Sequence, residues 1–491
     1  MESKSAKIYI IGAGFAGQEI ATELERKGIF GQVIGFIDDD EKKIGTLIDG
    51  IPVLGPISRM NTIQNENPAD EAIVAIPGAP GDNLKRIYST LKDTTLKTIR
   101  LLPGISQIID GDAHLIQTRE IAAEDLIGRD SAVISLKESL SYLRGKRVLI
   151  TGAGGSIGSE LSRQLLSGGA QRLYLLDHGE NSLYEIDAEL KLLQEEGVGE
   201  AATIVPVVGD LQDREYMHFI LARLKADVIF HCAAYKHVPM MEMNPIEAVK
   251  NNVFGTRNLV DAAVSSGVSK FVLISTDKAV EPVSIYGSSK MIAEEIVLAG
   301  NSENTGMMAV RFGNVLGSRG SIVPLFQRQI SKGGPVTITH PDIKRYFMTI
   351  PEAASLVLKA GGVGRDGVLY LLDMGEPIII RELAEQMINF YGFRPDKDIP
   401  IVTIGLRPGE KLEEKLWSSD EDPQPTEYPG IIKLEKDERF NGQLQTLLDD
   451  LRNICFFTSS KPDLYRNRKR LRTTLKQYIP ELEIPENEPE Y

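Results

Sequence analysis

The chain opens on a short apolar run, Ile8-Tyr-Ile-Ile11, which ends in a glycine cluster, Gly12-Ala-Gly14-Phe-Ala-Gly17, and passes into helical spacing over Gln18–Lys27. The same order returns at Val148-Leu-Ile-Thr-Gly152-Ala-Gly-Gly155-Ser156-Ile157-Gly158, followed by Ser159–Leu166. Each predicts a strand, a tight turn and a helix. Glycine in such a turn adopts φ > 0 and lets a ligand approach the backbone. The helix start then offers free N–H groups and a positive dipole end to a phosphate. Val33–Asp38 and Glu71–Ile76 read as further strands of the first unit. Arg172–Asp177, Ala202–Pro206, Asp227–His231 and Lys270–Ser275 read as strands of the second. Short apolar strands alternating with helical stretches predict mostly parallel sheets covered on both faces. The expected fold class is α/β, with two doubly wound domains at residues 1–127 and 146–430, joined by a less patterned linker at 128–145. Residues 305–430 read as an irregular portion capping the open end of the second sheet. Residues 431–491 read as a helical extension with an acidic tail, since five of residues 481–491 are Glu. The basic run Arg466, Arg468, Lys469, Arg470 and Arg472 reads as a solvated helix face.

Composition narrows the partners. Among 491 residues, 69 acidic against 55 basic side chains give a net charge of -14, the opposite of a nucleic-acid footprint. Cys232 and Cys455, the two cysteines, supply neither a disulfide framework nor zinc-ligand spacing, so no metal is expected. No apolar stretch approaches the ~18 residues of a membrane span, and no secretory leader precedes the first strand. No membrane insertion and a cytoplasmic location are expected.

The candidate chemistry follows the second glycine turn. Asp177, at the end of the next strand, is placed to accept from both hydroxyls of an adenosine ribose and would repel a 2′-phosphate, which favours NAD over NADP. Asp210 and Leu211 fall where adenine is held, and Ala233 and Ala234 are small enough for a cofactor to lie against the strand end. Gly12, Gly14, Gly17 and Asp38 repeat the pattern in the first unit. They admit a second nucleotide site there, or a regulatory or assembly role. Residues 1–127 carry no catalytic constellation. Tyr286 and Lys290 lie one helical turn apart on one face. The Lys290 ammonium is expected to lower the Tyr286 phenol pKa and to hold the nicotinamide ribose. The phenolate then takes a hydroxyl proton as hydride leaves the same carbon. His237 and His340 read as structural.

TGAGGSIGSE, HCAAYKHVPMMEMNP, NNVFGTRN, STDKAV, YGSSK, RFGNVLGSRGSIVPLF and LRPGEKLEEKL, in this order over about residues 140–430, resemble the extended short-chain dehydrogenase/reductase superfamily. More narrowly, they resemble bacterial polysaccharide-biosynthesis (CapD-type) UDP-N-acetylglucosamine 4,6-dehydratases. GAGFAG and GFIDDD resemble the domain that precedes the dehydratase in the long members, giving a long form with two Rossmann-like domains and without those members' transmembrane helices. The resemblance implies an NAD-dependent enzyme that converts a UDP-N-acetylhexosamine to its 4-keto-6-deoxy form for surface polysaccharide or glycoconjugate synthesis. It implies a smaller C-terminal substrate-binding portion and a homo-oligomer. Tyr286 and Lys290 would oxidise the sugar C4, Thr276 would bond the C4 oxygen, Lys278 would remove the C5 proton, and Asp277 would protonate the departing C6 hydroxyl. A base at Lys278 must be neutral, so its pKa is expected to be depressed. Lys236, Asn314, Arg407 and Glu410 match substrate-binding positions. Several long members carry methionine where this chain has Tyr286, whereas short C5-inverting members keep tyrosine, which leaves the C5 stereochemistry open. The alternatives are a C5-inverting dehydratase, a UDP-N-acetylhexosamine C4 epimerase, and a nucleotide-sugar sensor or scaffold without turnover. An epimerase needs no Asp277-Lys278 pair.

Overall fold

The computed structural model describes residues 6–27, 31–76, 79, 81–102, 119–120, 140–364, 367–440 and 442–488. Most of the expected linker and the last residues of the acidic tail lie outside these. The chain divides into two compact units, one of Met1–Lys137 with Leu192–Val198 and one of Glu138–Lys191 with Gly199–Tyr491.

The first unit is one seven-stranded sheet. Its strands are β1 (Lys7–Ile11), β2 (Gln32–Ile37), β3 (Leu47–Ile48), β4 (Ile51–Gly55), β5 (Glu71–Val74), β6 (Thr98–Leu101) and β7 (Arg119–Glu120), in the order β3-β4-β2-β1-β5-β6-β7. The five inner strands are parallel, and the two edge strands pair antiparallel. Ile8 and Ile10 bury on one face of the sheet, and Tyr9 and Ile11 bury on the other. Both faces of β1 are therefore covered, and its apolar run is continuous rather than alternating.

The second unit carries a nine-stranded sheet. It consists of β8 (Arg147–Thr151), β9 (Arg172–Asp177), β10 (Thr203–Val208), β11 (Val228–His231), β12 (Lys270–Thr276), β13 (Gly306–Phe312), β14 (Val368–Leu372), β15 (Glu421–Pro425) and β16 (Ile431–Lys436). The order is β10-β9-β8-β11-β12-β13-β14-β16-β15, and the first seven strands are parallel. Pro206 does not end its strand as expected. It pairs with Leu175 on the edge strand β10, where a missing N–H is tolerated. Residues 305–430 are not wholly a cap. Gly306–Phe312 and Val368–Leu372 are buried strands of the main sheet, and the expected boundary at 430 cuts the hairpin β15–β16 that extends it antiparallel. Met307-Met308-Ala309 carries little strand preference of its own, and pairing on both sides decides it.

Two buried ionic clusters tie this sheet to its neighbours. Arg311 on β13 is 1% exposed and bonds Glu294 on the helix Ile285–Ala299 and Glu421 on β15. The basic run near the C-terminus is not a solvated face throughout. Arg466, Lys469 and Arg470 are exposed, but Arg468 and Arg472 are buried and bond Glu488 and Glu242. Helical periodicity explains the split, because Leu471 and Leu475 on the same helix, Arg468–Tyr478, face the core.

Candidate active site

The strand-to-helix turn after β8 has the backbone that the glycines suggested. Gly152 sits at φ +67°, where a Cβ would fall 2.7 Å from the Ala233 nitrogen. At Gly158 a Cβ would stand 2.2 Å from the Gly152 carbonyl oxygen, so the helix Ser156–Ser167 packs on the turn only with glycine there. Gly155, Ser156 and Ile157 line a cavity of about 930 Å³ at the start of this helix, where first-turn N–H groups have no partner within the helix. Asp177 ends β9 and accepts from the Gly154 N–H at 2.9 Å and the Gly179 N–H at 2.9 Å, which fixes its carboxylate at the rim of the turn. Asp210, Leu211, Ala233 and Ala234 line the same cavity.

The opposite wall comes from β12 and the helix Ile285–Ala299. Ser284 caps that helix through the Gly287 N–H at 3.1 Å, and Glu242 accepts from the Ile285 N–H at 2.7 Å. Tyr286 and Lys290 then point from consecutive turns of one face into the cavity. Lys290 also donates to the Ile274 carbonyl at 2.7 Å. Asn252 bonds Ser289 on this helix and both backbone groups of Tyr235, holding the 233–237 loop against it. Asn252 and the cavity-lining Asn251 belong to a π-helical turn, Val249–Gly255, a feature that clusters at functional sites.

Of the sequence-selected residues in this unit, Thr276, Lys278, Tyr286, Lys290, Lys236, Asn314, Arg407 and Glu410 all line the cavity. Asp277 does not. It is 0% exposed and accepts from Thr276 Oγ1 at 2.9 Å and Lys278 Nζ at 3.0 Å, behind the wall. Lys278 also donates to Asn314 Oδ1 at 2.9 Å. Glu410 is half-buried and accepts from Arg345 at 3.3 Å and from the Arg407 N–H at 3.2 Å, so its carboxylate braces the 407–410 loop. His237 lies at the cavity mouth against Gly320, whereas His340 is an exposed loop residue that accepts from the Asp342 N–H.

The electrostatics reverse two expectations. Burial pushes the Tyr286 phenol up to about 12, and the cation pulling it down is Lys278, aided by Thr276, rather than Lys290. Burial pulls Lys290 down to about 8, opposed by Glu294 and Cys232. Burial also disfavours the Lys278 ammonium, but Asp277 and Glu414 outweigh it and hold the pKa above the ordinary lysine value, not below. Helical spacing paired Lys290 with Tyr286. Of the anions acting on Lys278, Asp277 is its chain neighbour, whereas Glu414 comes from a distant segment that carries no local signal.

Arg345, Arg319 and Asn251 also face the cavity and were not singled out from sequence. Arg319 reaches back to the glycine turn, donating to the Gly154 carbonyl at 3.2 Å and pairing with Glu185 at 2.7 Å. It stands inside the quoted RFGNVLGSRGSIVPLF motif, which was the available signal.

In the first unit, Gly12 (φ +101°), Gly14, Asp38 and Lys43 line a separate cavity of about 570 Å³. Gly17 serves packing instead, since a Cβ there would meet the Gly12 oxygen at 2.0 Å. Asp38 accepts from the Ala13 N–H at 2.7 Å and pairs with Lys43 at 3.1 Å. Burial raises the Asp38 pKa, but the N–H groups of Asp40 and Ala13, with Lys43, hold it below the ordinary range. Among the described residues no cluster of His, Cys, Asp and Glu is set to hold a metal ion, and no helix is long and apolar enough to cross a membrane.

Residues 148–436 match a family described as polysaccharide biosynthesis protein, and residues 7–87 match the PglD N-terminal domain. The chain is 41% identical over 429 residues to the probable polysaccharide biosynthesis protein EpsC of Bacillus subtilis (strain 168), covering 87% of this chain and 71% of that protein. It is 32% identical over 308 residues to a UDP-N-acetylglucosamine 4,6-dehydratase (inverting) of Campylobacter jejuni, covering 60% of this chain and 86% of that one. Among solved structures it is similar to Pen from Bacillus thuringiensis, with 33% identity and a TM-score of 0.54 over 60% of this chain and 89% of that one. The family match spans the glycine turn, the Tyr286–Lys290 helix and the 407–410 loop together, and on that ground the chain belongs to the polysaccharide biosynthesis protein family, as a nucleotide-sugar-modifying enzyme built on an extended short-chain dehydrogenase/reductase fold.

Proposed function

We propose that the chain dehydrates a UDP-N-acetylhexosamine, in the first instance UDP-N-acetylglucosamine, across C5 and C6 with a retained NAD. One observation carries the reading. Thr276, Lys278, Tyr286 and Lys290 face one cavity that also holds the Gly152–Gly158 turn and Asp177.

The residues fit NAD. The turn leaves no room for a Cβ at Gly152 or Gly158, the helix start faces the diphosphate position, and the fixed Asp177 carboxylate favours a ribose over a 2′-phosphate. Lys290 would hold the nicotinamide ribose. NAD, when bound, would supply the acceptor for the C4 hydride and the source of the C6 hydride, so that no external oxidant would be consumed. Tyr286 takes the C4 hydroxyl proton as the phenolate, which burial disfavours and the neighbouring Lys278 ammonium and Thr276 favour. Thr276 donates to the C4 oxygen. Once that carbon is a ketone, the C5 proton is acidic, and Lys278, after passing one proton to the Asp277 carboxylate 3.0 Å away, removes it as the free amine. Asp277 protonates the departing C6 hydroxyl after its carboxyl turns from Lys278 towards the cavity. Arg407 and Lys236 supply charge for the diphosphate, and Asn314 supplies a polar contact for the sugar. Inversion at C5 is a second reading that rests on tyrosine at 286. The first unit's cavity is proposed as a second nucleotide site on Gly12, Gly14 and Asp38.

Proton NMR of the protein with UDP-N-acetylglucosamine in D₂O tests the reading. A new C6 methyl signal with deuterium at C5 is expected, and Lys278→Ala should lose it while still binding NAD and the UDP-sugar. Formation of UDP-N-acetylgalactosamine without a methyl signal would replace the reading with epimerisation. Binding without turnover would replace it with a sensor.

A further inference from the structure

Glu414 is a buried carboxylate that acts on Lys278 from outside the cavity. Its side chain is 4% exposed, it does not line the cavity, and its Oε1 lies 3.9 Å from Lys278 Nζ. Its Oε2 lies 3.8 Å from Lys411 Nζ, and among the described residues it accepts no hydrogen bond. A carboxylate out of water with one oxygen unbonded is costly unless charge compensates it. Lys411 is committed elsewhere as well, donating to the Val280 carbonyl at 2.7 Å. Lys278 shares the compensation of this carboxylate with Lys411.

Lys278 is set between two such anions. Asp277 holds it from the turn after β12 and Glu414 from the segment after the 407–410 loop, while the Asn314 oxygen accepts a third contact. Among the described residues, the other charged or titratable groups facing this cluster are Lys411 with Glu281 beside it, Arg345 with its partner Glu410, and the Tyr286 and Tyr346 phenols. Glu414 stands between two ammoniums, Lys278 and Lys411, while Asp277 contacts Lys278.

We propose that Glu414 is a positioning residue: the buried counter-charge that keeps Lys278 an ammonium beside Tyr286 in the resting site, and so sets how much free amine is available for the elimination. This rests on the reading of Lys278 as the elimination base. Ammonium first serves the phenol, and the free amine serves the C5 proton later. The second anion delays the change between them.

The test is competitive acetylation of the NAD-loaded protein with acetic anhydride at a series of pH values, with the label on Lys278 quantified by mass spectrometry. Removing an opposite charge at about 4 Å lowers a lysine pKa by about 1–3 units, so Glu414→Gln should raise Lys278 labelling at pH 8 by about 10- to 1000-fold. Glu414→Asp, which keeps the charge, should restore most of the wild-type rate. Lys411→Met removes a cation from the same cluster and should slow labelling, the opposite sign, which covers the case in which Glu414→Gln does not fold. Unchanged Lys278 labelling in a folded Glu414→Gln that still binds NAD would overturn the inference. The parent reading has its own readout. If wild type makes no C6 methyl product while labelling responds as stated, the dehydratase assignment fails and the charge coupling stands.

Discussion

Replacing Arg311 by methionine keeps the side chain's bulk and removes its charge from a fully enclosed site. Arg311 makes two bonds to Glu294, at 3.2 and 2.8 Å, two to Glu421, at 2.8 and 3.0 Å, and one to the Leu416 carbonyl at 3.2 Å. Both carboxylates are 1% exposed. Burial alone would push Glu421 up, yet Arg311 and the Ser418 N–H hold it down at about 2. Its ordinary value is 4.5, and a gap of that size corresponds to about 3 kcal/mol. The cost of breaking a buried ion pair, about 3–5 kcal/mol, brackets the same figure. A loss of about 3–5 kcal/mol is therefore expected in urea unfolding at pH 7.5. The single tryptophan, Trp417, adjoins the Leu416 carbonyl, so its fluorescence reports on this cluster. The sign of the pH dependence is fixed too. In the variant both carboxylates are stranded, their pKa values rise, and protonation relieves them as pH falls. Wild type keeps its Glu421 contribution down to about pH 4.5, because the depressed group loses it only between there and about 2. The gap between the two proteins should narrow from pH 7.5 to pH 5, and adding Glu294→Gln with Glu421→Gln should recover most of it. A loss under about 1 kcal/mol, or one that does not change with pH, would refute the reasoning.

Other consequences are open to direct measurement. Gly158→Ala places a Cβ 2.2 Å from the Gly152 oxygen, so the turn must shift. The expected cost is about 1–3 kcal/mol of stability with at least tenfold weaker NAD binding by titration, and unchanged affinity would mean that the turn does not cradle the cofactor. Lys290 is an ammonium below about pH 8 and neutral above it, so NAD affinity should fall as pH rises through 8 in wild type and stay flat in Lys290→Met. His231 is buried between Thr151 and Thr256, with its pKa pulled from 6.5 to about 3 by burial and, less, by Lys290. The unfolded chain takes this proton below pH 6.5 and the folded one does not. The stability it contributes is thus fully present above 6.5 and is lost as pH falls towards 3. Between pH 7 and 4.5, wild type should lose about 2–3 kcal/mol more than His231→Asn in guanidinium unfolding.

Residues close together in sequence were legible from sequence alone. A strand, a glycine turn and a helix fall within about twelve residues, and steric exclusion of a Cβ makes glycine at 152 and 158 a local requirement, visible as spacing. Tyr286 and Lys290 share a face because helical geometry puts residues four apart together. Asp177 closes its strand next to the turn because adjacent parallel strands end at the same edge of the sheet. Other features depend on residues far apart in the chain. Gly306–Phe312 is a strand because β12 and β14 flank it, not because of its own composition. Arg468 and Arg472 lie on the buried face of their helix, but their charges are tolerated there because Glu242, far away in the chain, and Glu488 pair with them. Above all, the charge state of Lys278 is set by Asp277, one residue away, and by Glu414, 136 positions later in the chain. Sequence names the groups that can do the chemistry. Folding decides which charges stand within a few ångströms of them, with water excluded, and so which of them holds its proton.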